Sequence, residues 1–509
     1  MGNHNLSGAV IAQEALNSLL DIALPDWKNS SEVKNLLGKK VINDDFTFLF
    51  SEFFSLNIGF LVRASKLLHL DSGDMSHRGD YIISLSQLVK WLGKIAKNTG
   101  IEILTGFSAQ DIIWDEKNNV CSGVKLKDQG LDKKGNKQPN FQEGEIINAD
   151  FVVLSEGSDG FITGKFLNKA NLQRTQPQLY SIGIKEIIEV SSHQYNKFTE
   201  SRVVHSLGYP IWNPLSTLGM FGGGILYPNG NNQISAGMIV GLDWKYYDFN
   251  PQEALLDFKK HKFINQFISG GKIIESGAKM ISEGGYYAIP RNIETGAIGK
   301  SNCIIIGESA GFVNMLKIKG LHLAINSGII AASAIENCLN NKINTAIEYT
   351  KLIDNSTVGK EMFKSRNFRQ TLAGFGITLG LPLSVFSRIL PRMKVEDDFK
   401  AMKHVNCNIG NNTFDKAAFT ATASVKHRED EPGHLIISDN EICKKCKTTF
   451  NCPCVIFCPA GVYEIIDSEL KPVNPSNCLH CKTCQRKCPF NNVKWTVPEA
   501  SGGPQYDKM

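Results

Sequence analysis

Most of the thirteen cysteines of this 509-residue chain stand close together near its C-terminus. The last four form the run C-x2-C-x2-C-x3-C-P, with the cysteines Cys478, Cys481, Cys484 and Cys488. In ferredoxins of the bacterial type, three cysteines of such a run hold one 4Fe-4S cubane, and the fourth ligates another cluster. Thiolates suit this chemistry because they delocalise charge onto sulfur while the cluster changes oxidation state. The run therefore predicts a site for one-electron transfer.

The fourth ligand of the first cubane must come from another Cys-Pro pair. Cys458 precedes a proline and supplies it, so the first cluster takes the ligands Cys458, Cys478, Cys481 and Cys484. A structural zinc site is the rival interpretation, but zinc sites usually use two C-x2-C pairs separated by a longer loop. The spacing therefore favours an iron-sulfur cluster.

The cysteines upstream of this Cys-Pro pair, together with Cys458, repeat the same four-cysteine pattern as C-x2-C-x7-C-x3-C-P. The repeat has an insertion of five residues before its third cysteine. The pairing rule then gives a second 4Fe-4S cluster the ligands Cys443, Cys446, Cys454 and Cys488. Cys452 is left as a spare thiol or as a substitute for Cys454. One cluster with incidental thiols upstream, or one cluster beside a structural zinc ion, are the alternatives.

The composition is that of a globular protein, with 42% hydrophobic and 21% charged residues. The net charge of +5 is small for this length, and no basic cluster interleaves with aromatic residues, so we expect no nucleic-acid partner. A disulfide framework is typical of small secreted chains. The cysteines outside the C-terminal group are therefore expected to be reduced and buried; they are Cys121, Cys303, Cys338 and Cys407.

Two short apolar segments, 151–154 and 303–306, are each followed by a glycine-rich turn, at 156–160 and 307–311. A helix rich in small residues is predicted from about 322 to 334. Strands that alternate with helices and glycine turns are typical of a parallel sheet that binds a cofactor at its carboxyl edge.

The segment 179–240 consists of short apolar stretches separated by Gly, Pro and Asn, which predicts a mixed or antiparallel sheet. No apolar run is long enough for a spanning helix. The nearest, 372–390, contains glycines and a proline and is either core or a contact with one membrane leaflet. In the second case Arg388, Arg392 and Lys394 would meet lipid phosphates.

Segments spread along nearly the whole chain resemble, in order, one family of flavoproteins. They are GNHNLSGA at Gly2, HRGDYIISLSQLVKWL at His77, PQLYSIGIKE at Pro177, GGGILY at Gly222, GLDW at Gly241, GAKMISEGGYYAIPR at Gly277, GESAGFVNMLKIKGLHLAINSG at Gly307, FCPAGVYEI at Phe457, NCLHCKTC at Asn477 and VKWTVPEASGGPQY at Val493. The family that they resemble is electron-transfer flavoprotein:ubiquinone oxidoreductase.

The resemblance implies an α/β (α+β) multidomain fold. An incomplete FAD-binding Rossmann-like domain is expected to interleave with a mixed-sheet quinone domain and to precede a ferredoxin-like iron-sulfur domain. The expected divisions are 1–165 for the first part of the FAD-binding domain, 166–295 for the quinone-binding domain, 296–350 for the second part of the FAD-binding domain, 351–400 for a helical membrane-contact region and 401–509 for the ferredoxin-like 4Fe-4S domain.

The resemblance also implies an enzyme, electron-transferring-flavoprotein dehydrogenase, which takes single electrons from reduced electron-transfer flavoprotein and delivers a pair to ubiquinone. Such an enzyme binds FAD and a 4Fe-4S cluster, whose family ligands fall on the first cysteine group. It lies on one membrane surface, the cytoplasmic side of a bacterial inner membrane or the matrix side of the mitochondrial one. The family's quinone contact falls on Gly222 and Gly223, preceded here by Phe221 where a tyrosine is usual.

For FAD, the resemblance implies contacts at Gly307, Glu308, Gly311, Asn326 and Gly328. No G-x-G-x-x-G is present, and the sequence starts where the family's first strand-helix-strand unit should have ended. A truncated gene model would explain this start, and a truly truncated chain would be inactive alone.

Two further alternatives are a ferredoxin-like carrier module on a body that no longer binds FAD, and a flavoprotein similar to geranylgeranyl reductase. We predict no catalytic residue, because solvent could protonate the quinone. Known members of the family lack the thiols of the second cysteine group, so a second cluster would be a variation on the family pattern.

Overall fold

Helices and strands alternate along the chain, for which the computed structural model describes residues 1–7, 10–37, 39–68, 70–212, 219–341, 343–407, 413–499 and 502–509. The helices are α1 (Gln13–Ala23), α2 (Ser31–Leu36), α3 (Gly59–Leu67), α4 (Leu85–Asn98), α5 (Phe161–Lys169), α6 (Ser192–Phe198), α7 (Pro251–Lys260), α8 (Lys262–Ile268), α9 (Leu321–Asn341), α10 (Thr345–Asn355), α11 (Thr357–Lys364), α12 (Phe368–Ser384), α13 (Lys416–Thr422), α14 (Asn440–Phe450), α15 (Pro453–Phe457) and α16 (Thr483–Lys487). The strands are β1 (Val10–Ile11), β2 (Asn43–Leu49), β3 (Ser55–Asn57), β4 (Tyr81–Ile82), β5 (Ala109–Asp115), β6 (Val120–Leu126), β7 (Gln129–Leu131), β8 (Lys137–Gln142), β9 (Ile146–Asn148), β10 (Val152–Leu154), β11 (Leu172–Gln173), β12 (Tyr180–Glu189), β13 (Arg202–Gly208), β14 (Gly222–Pro228), β15 (Gln233–Gly241), β16 (Lys272–Ser282), β17 (Arg291–Asn292), β18 (Gly299–Lys300), β19 (Cys303–Ile305), β20 (Leu435–Ile437), β21 (Tyr463–Ile466), β22 (Glu469–Pro472) and β23 (Val493–Trp495).

The largest sheet has seven strands in the order β16-β12-β15-β14-β13-β2-β3. Its neighbours are antiparallel except for β13 and β2, which pair in parallel. Strand β12 is buried along nearly its whole length because helices and the C-terminal domain cover the sheet on both sides. The mixed sheet predicted for 179–240 is thus confirmed.

The seven-stranded sheet contains strands from both sides of the domain boundary predicted at residue 165. Strands β2 and β3, from the 1–165 segment, form one edge of the sheet together with strands of the 166–295 segment. A parallel pairing between residues so far apart in the chain leaves no local signal in the sequence.

A second, smaller sheet has the order β10-β19-β18, in which β10 and β19 are parallel. These two strands are the apolar segments predicted at 151–154 and 303–306. Helix α9, predicted at 322–334, runs from Leu321 to Asn341 and shares a hydrophobic core with this sheet and with α5 and α10. Helices α1 and α4 form a further apolar core, against which Leu321 and Ile325 of α9 pack.

The C-terminal domain has the order β20-α14-α15-β21-β22-α16-β23. Its outer strands β20 and β23 pair with each other, and β21 and β22 form a hairpin. Apart from the extra helix α14, this is the β-α-β-β-α-β order of a ferredoxin-like domain with two similar halves. The domain shares one continuous apolar core with the seven-stranded sheet.

The apolar segment at 372–390 lies mostly in α12, which is kinked at Gly376, where φ is +68°. Only glycine adopts this backbone region readily, so the kink explains the glycine at this position. No helix in the described part of the chain is both long enough and apolar enough to cross a bilayer.

Candidate functional site

The first cysteine group, Cys458, Cys478, Cys481 and Cys484, lies where the C-terminal domain meets the body. Cys458 caps the end of α15, and Cys484 lies in the first turn of α16. Burial raises the pKa of Cys478, and the nearby sulfurs of Cys481 and Cys484 raise it further. Burial and the nearby sulfur of Cys481 likewise raise the pKa of Cys458. The structure therefore brings all four predicted ligands together.

Hydrogen-bond donors surround these sulfurs. The backbone N–H of His480 donates to Cys478 Sγ at 3.4 Å, and the Thr483 hydroxyl donates to Cys481 Sγ at 3.5 Å. Such bonds stabilise negative charge on sulfur and tune a bound cluster.

The second cysteine group, Cys443, Cys446, Cys454 and Cys488, lines one enclosed pocket. Cys443 and Cys446 are three residues apart on α14 and therefore share its buried face. The sequence left the role of Cys452 open. Cys452 is not among the residues that line the pocket; its sulfur donates to the Cys443 carbonyl at 3.7 Å and also interacts with the Cys446 thiol.

All thirteen cysteines are thiols rather than disulfides. Outside the two groups, Cys121, Cys303 and Cys338 are buried, and Cys407 is half-buried.

Four histidines that the sequence analysis did not single out lie beside the first cysteine group. His427 stacks on His434 with ring centroids 5.1 Å apart, and His480 contacts both rings and His4. Burial is the main cause that lowers the pKa of His434 to about 3 and that of His4 to about 4. Both are therefore neutral near pH 7 and pack as uncharged rings beside the first cysteine group.

An apolar pocket opens between the seven-stranded sheet and α12. Gly222 and Gly223, the predicted quinone contacts, form part of its wall. A Cβ on Gly223 would lie 2.0 Å from the Ser206 carbonyl oxygen, so only glycine fits there. The other lining residues are Phe46, Met75, His205, Ser206, Leu207, Phe221, Gly224, Ile225, Ile239, Met315, Ile318, Phe368, Leu372, Ile377 and Leu381.

Among the described residues of this pocket wall, His205 is the one with a titratable side chain, and it belongs to a buried polar cluster. Its Nε2 lies 2.5 Å from the Tyr227 hydroxyl, and its Nδ1 lies 3.4 Å from Asp44 Oδ1. His77 stacks on the His205 ring at 4.4 Å, and its backbone N–H donates to Asp44 Oδ2 at 2.6 Å. Burial would raise the pKa of Asp44, but the two histidines hold it well below its usual value.

The predicted flavin contacts lie at the carboxyl edge of β10 and β19. Gly307 and Gly311 have φ values of +58° and +87°, and the Gly307 N–H donates to the Ser327 hydroxyl of α9 at 2.9 Å. The Nδ1 of His322, at the start of α9, is buried and has no hydrogen-bond partner. An added Cβ at Gly328 would meet only Ile306, at 4.0 Å, which leaves open space beside the turn.

Asn326 is half-buried on α9. The Oε1 atom of Glu308 accepts the Ser282 N–H at 2.9 Å. Burial lowers the pKa of Lys279, whereas Glu308 and Cys481 raise it, so Lys279 lies between the glycine turn and the first cysteine group.

The turn after β10 makes a second connection to the first cysteine group. The Asp159 carbonyl accepts Lys482 Nζ at 2.6 Å, its carboxylate accepts Gln485 Nε2 at 2.6 Å, and Arg486 pairs with the same carboxylate. The C-terminal domain is therefore docked at the edge that carries the predicted flavin contacts.

A large apolar surface is exposed around α3 and α12, and we call it the exposed apolar surface. Leu67 and Ile389 are each 81% exposed. The other exposed side chains are Phe53, Phe54, Leu56, Phe60, Leu61, Leu68, Phe375, Leu379 and Phe386. The two parts are connected, since Phe48 contacts the Trp212 ring and Trp212 Nε1 donates to the Thr378 hydroxyl at 3.1 Å. Contiguous apolar areas of this kind mark sites of interaction.

Two family models match the chain. One, described as "Electron transfer flavoprotein-ubiquinone oxidoreductase, 4Fe-4S", matches residues 410–507, and one described as "ETF-QO, ubiquinone-binding" matches residues 180–281. The second match includes β14 and its glycines.

Full-length relatives share the same description. The mitochondrial electron transfer flavoprotein-ubiquinone oxidoreductase of Arabidopsis thaliana is 34% identical over 532 residues, which cover 100% of this chain and 78% of the relative. The enzyme of Pseudomonas aeruginosa is 33% identical and is covered over 92% of its length.

Among solved structures, a geranylgeranyl bacteriochlorophyll reductase-like protein from Thermoplasma acidophilum has a similar fold. The TM-score is 0.53 at 16% identity, over 79% of this chain and 86% of the other.

Proposed function

Since the chain belongs to the electron transfer flavoprotein-ubiquinone oxidoreductase family, we propose which of its residues serve each step of that function. Members pass electrons from electron transfer flavoprotein to ubiquinone through a 4Fe-4S site, and this chain is an oxidoreductase of that kind. The observation that carries the assignment of the metal site is the convergence of four buried or half-buried cysteines at the edge of the body.

We assign a 4Fe-4S cluster to Cys458, Cys478, Cys481 and Cys484. When bound, such a cluster supplies one-electron transfer. The chain's own part is to hold the four thiolates in a water-poor site and to donate hydrogen bonds to their sulfurs. The Asp159 contacts with α16 fix the distance between this site and the glycine turn at Gly307.

The carboxyl edge of β10 and β19 fits the flavin part of FAD. Bound FAD links single-electron donors to an acceptor of electron pairs. Support comes from the unpartnered His322 Nδ1, the open space at Gly328 and the positive φ values of Gly307 and Gly311. Glu308 and Asn326 complete the proposed contact set on the same turn and helix.

The apolar pocket at Gly222 and Gly223 is the proposed ubiquinone site. Reduction of a quinone to a quinol takes up two electrons and two protons, so a proton donor in the wall is of direct use. We propose His205 for this role, with Asp44, whose Oδ1 lies 3.4 Å from the His205 Nδ1, as the positioning residue.

The exposed apolar surface is proposed to enter one leaflet of a membrane. Ile377 and Leu381 of α12 line the quinone pocket, while Phe375 and Leu379 of the same helix are exposed. A quinone dissolved in lipid would thus reach the pocket without crossing water. The relatives include mitochondrial and bacterial enzymes, and we propose the matrix or cytoplasmic face of the inner membrane.

The test is the reduction of a short-chain ubiquinone by reduced electron transfer flavoprotein, catalysed by the purified chain with FAD added. We expect turnover that is lost in Cys478→Ser and retained in Cys338→Ser, a buried thiol outside both groups. A chain that takes up iron but neither binds FAD nor reduces the quinone would instead be a carrier module. The two family-model matches favour the quinone reductase over a protein that only resembles geranylgeranyl reductase in fold.

A further inference from the structure

The two halves of the ferredoxin-like domain place cysteines at equivalent positions. Helices α15 and α16 both have five residues, with Cys454 and Cys484 as their second residues. Cys458 and Cys488 cap the two C-termini with φ/ψ of −68°/118° and −59°/116°. Both cap N–H groups donate to the carbonyl of the cysteine four residues before, at 3.2 Å.

The cysteine that caps each of these helices belongs to the cysteine group formed mainly by the other half of the domain. Cys458 lies among the sulfurs of the first group, as its charged neighbour Cys481 shows. Cys488 lies in the pocket of the second group. Burial raises the pKa of Cys454, and among its neighbours Cys452, Cys488 and Cys484 raise it further. The second site is therefore complete and adjacent to the first.

The second pocket has the surroundings that a cluster needs. Its remaining walls are largely apolar and exclude water; they are Ile442, Pro453, Leu470, Pro489, Phe490, Asn492 and Val493. The Asn492 side chain donates to Cys443 Sγ, and the Asn492 backbone N–H donates to Cys488 Sγ, both at 3.2 Å. These donors match in kind the bonds from His480 and Thr483 to the first group.

The spacing of the sulfurs argues against zinc. Zn–S bonds of about 2.3 Å place the four sulfurs of a tetrahedral site roughly 4 Å apart. Among the described residues, the groups whose ligand atoms all lie within 4.8 Å of one another consist of histidines and Asp44 and contain no cysteine. A cubane distributes its ligands over four iron atoms and needs wider spacing.

We propose that Cys443, Cys446, Cys454 and Cys488 hold a second 4Fe-4S cluster, which exchanges one electron at a time with the first. Its place in the electron path rests on the proposed function, but its presence does not. Phe490 lines the site, its ring lies 6.0 Å from that of Phe450, and Lys445 lies over the Phe490 ring. It therefore extends the path from the first cysteine group toward the half-buried rings at the edge of the domain.

The test measures iron and acid-labile sulfide per chain, together with EPR of the dithionite-reduced protein. We expect about eight irons in the native chain and in Cys452→Ser, and about four in Cys443→Ser and in Cys488→Ser. Reduced native protein should give the broadened spectrum of two interacting clusters, and both four-iron variants a simple rhombic one.

About four irons in the native chain, unchanged by Cys443→Ser, would overturn the second cluster, as would one zinc ion per chain that is lost in that variant. The iron content of the native chain is measured first, so the test of the second cluster does not depend on whether each variant folds. Quinone reduction is assayed on the same samples. About four irons per chain together with quinone reduction would reject the second cluster but not the proposed function. About eight irons per chain without quinone reduction would support the second cluster and reject the proposed function.

Discussion

The side-chain amide of Asn492 donates to Cys443 Sγ at 3.2 Å. Because hydrogen bonds to sulfur raise the reduction potential of a cluster, Asn492→Ala should lower the potential of the second cluster and leave the first unchanged. The matched variant is Thr483→Val, which removes the bond to Cys481 and should lower only the first potential. An EPR-monitored redox titration resolves the two. Equal shifts of both signals in Asn492→Ala would contradict the assignment.

The hydrogen-bond donors around the sulfurs could not have been predicted from the sequence. The division of the cysteines into two groups could be predicted because cysteine spacing is a local property, and the ligand roles of both groups remain predictions. Asn492 looks like any loop residue until the fold places it over two sulfurs. The same is true of Cys452, whose sulfur the fold places against the Cys443 carbonyl at a distance of 3.7 Å.

The role of His205 could not be predicted from the sequence for a different reason. In the sequence it is one polar residue in a strand, and its position at the pocket follows from the register in which β13 pairs with β14, His205 opposite Ile225. Its partner Asp44 arrives through the parallel pairing of β2 with β13, a contact between distant segments. Sequence patterns predicted the sheet, but not which side chains it would place around the glycines.

Replacing His205 by Phe keeps an aromatic ring in the pocket wall but removes the proposed proton donor. We expect the turnover number for quinone reduction to fall by about 100- to 10,000-fold, the range typical of a lost general acid, with a smaller effect on KM. Electron uptake from reduced electron transfer flavoprotein, followed by the cluster EPR signal, should remain. His193→Phe, at an exposed position, is the control. Unchanged turnover and pH profile in His205→Phe would return the protonation step to solvent.

The glycines of β14 provide a steric test of the quinone pocket. Gly223→Ala places a Cβ against the Ser206 carbonyl oxygen and forces the strand to shift. We expect a higher KM for ubiquinone at unchanged cluster content. At Gly219 an added Cβ meets nothing within 4 Å, so Gly219→Ala should behave as the native enzyme. Equal kinetics in the two variants would separate these glycines from quinone binding.

The free energy of unfolding should depend on pH through the carboxyl group of Glu361. Burial would raise its pKa, but the hydrogen bonds and charges of His322 and Lys317 lower it from 4.5 to about 2. A pKa that is lower in the folded state stabilises the fold above the unfolded value, and this stabilisation is lost as the pH falls from about 4.5 to 2. Glu361→Gln should therefore lower the free energy of unfolding by about 3 kcal/mol at pH 7 and by little near pH 2. Urea unfolding across this range measures the difference, and a constant offset would disprove the coupling.

Charges placed on the exposed apolar surface should release the protein from membranes. Leu379→Glu and Ile389→Glu replace side chains that are 63% and 81% exposed, so neither change disturbs the core. Inserting a carboxylate into hydrocarbon is costly, and we expect the fraction that floats with vesicles of phosphatidylcholine and anionic lipid to fall at least tenfold. Leu339→Glu, 67% exposed on α9, is the matched control and should float like the native chain. The reduction of water-soluble short-chain quinones should be unaffected, because the pocket wall at Leu372 and Leu381 remains intact. If both surface variants still float, the apolar surface binds something other than lipid.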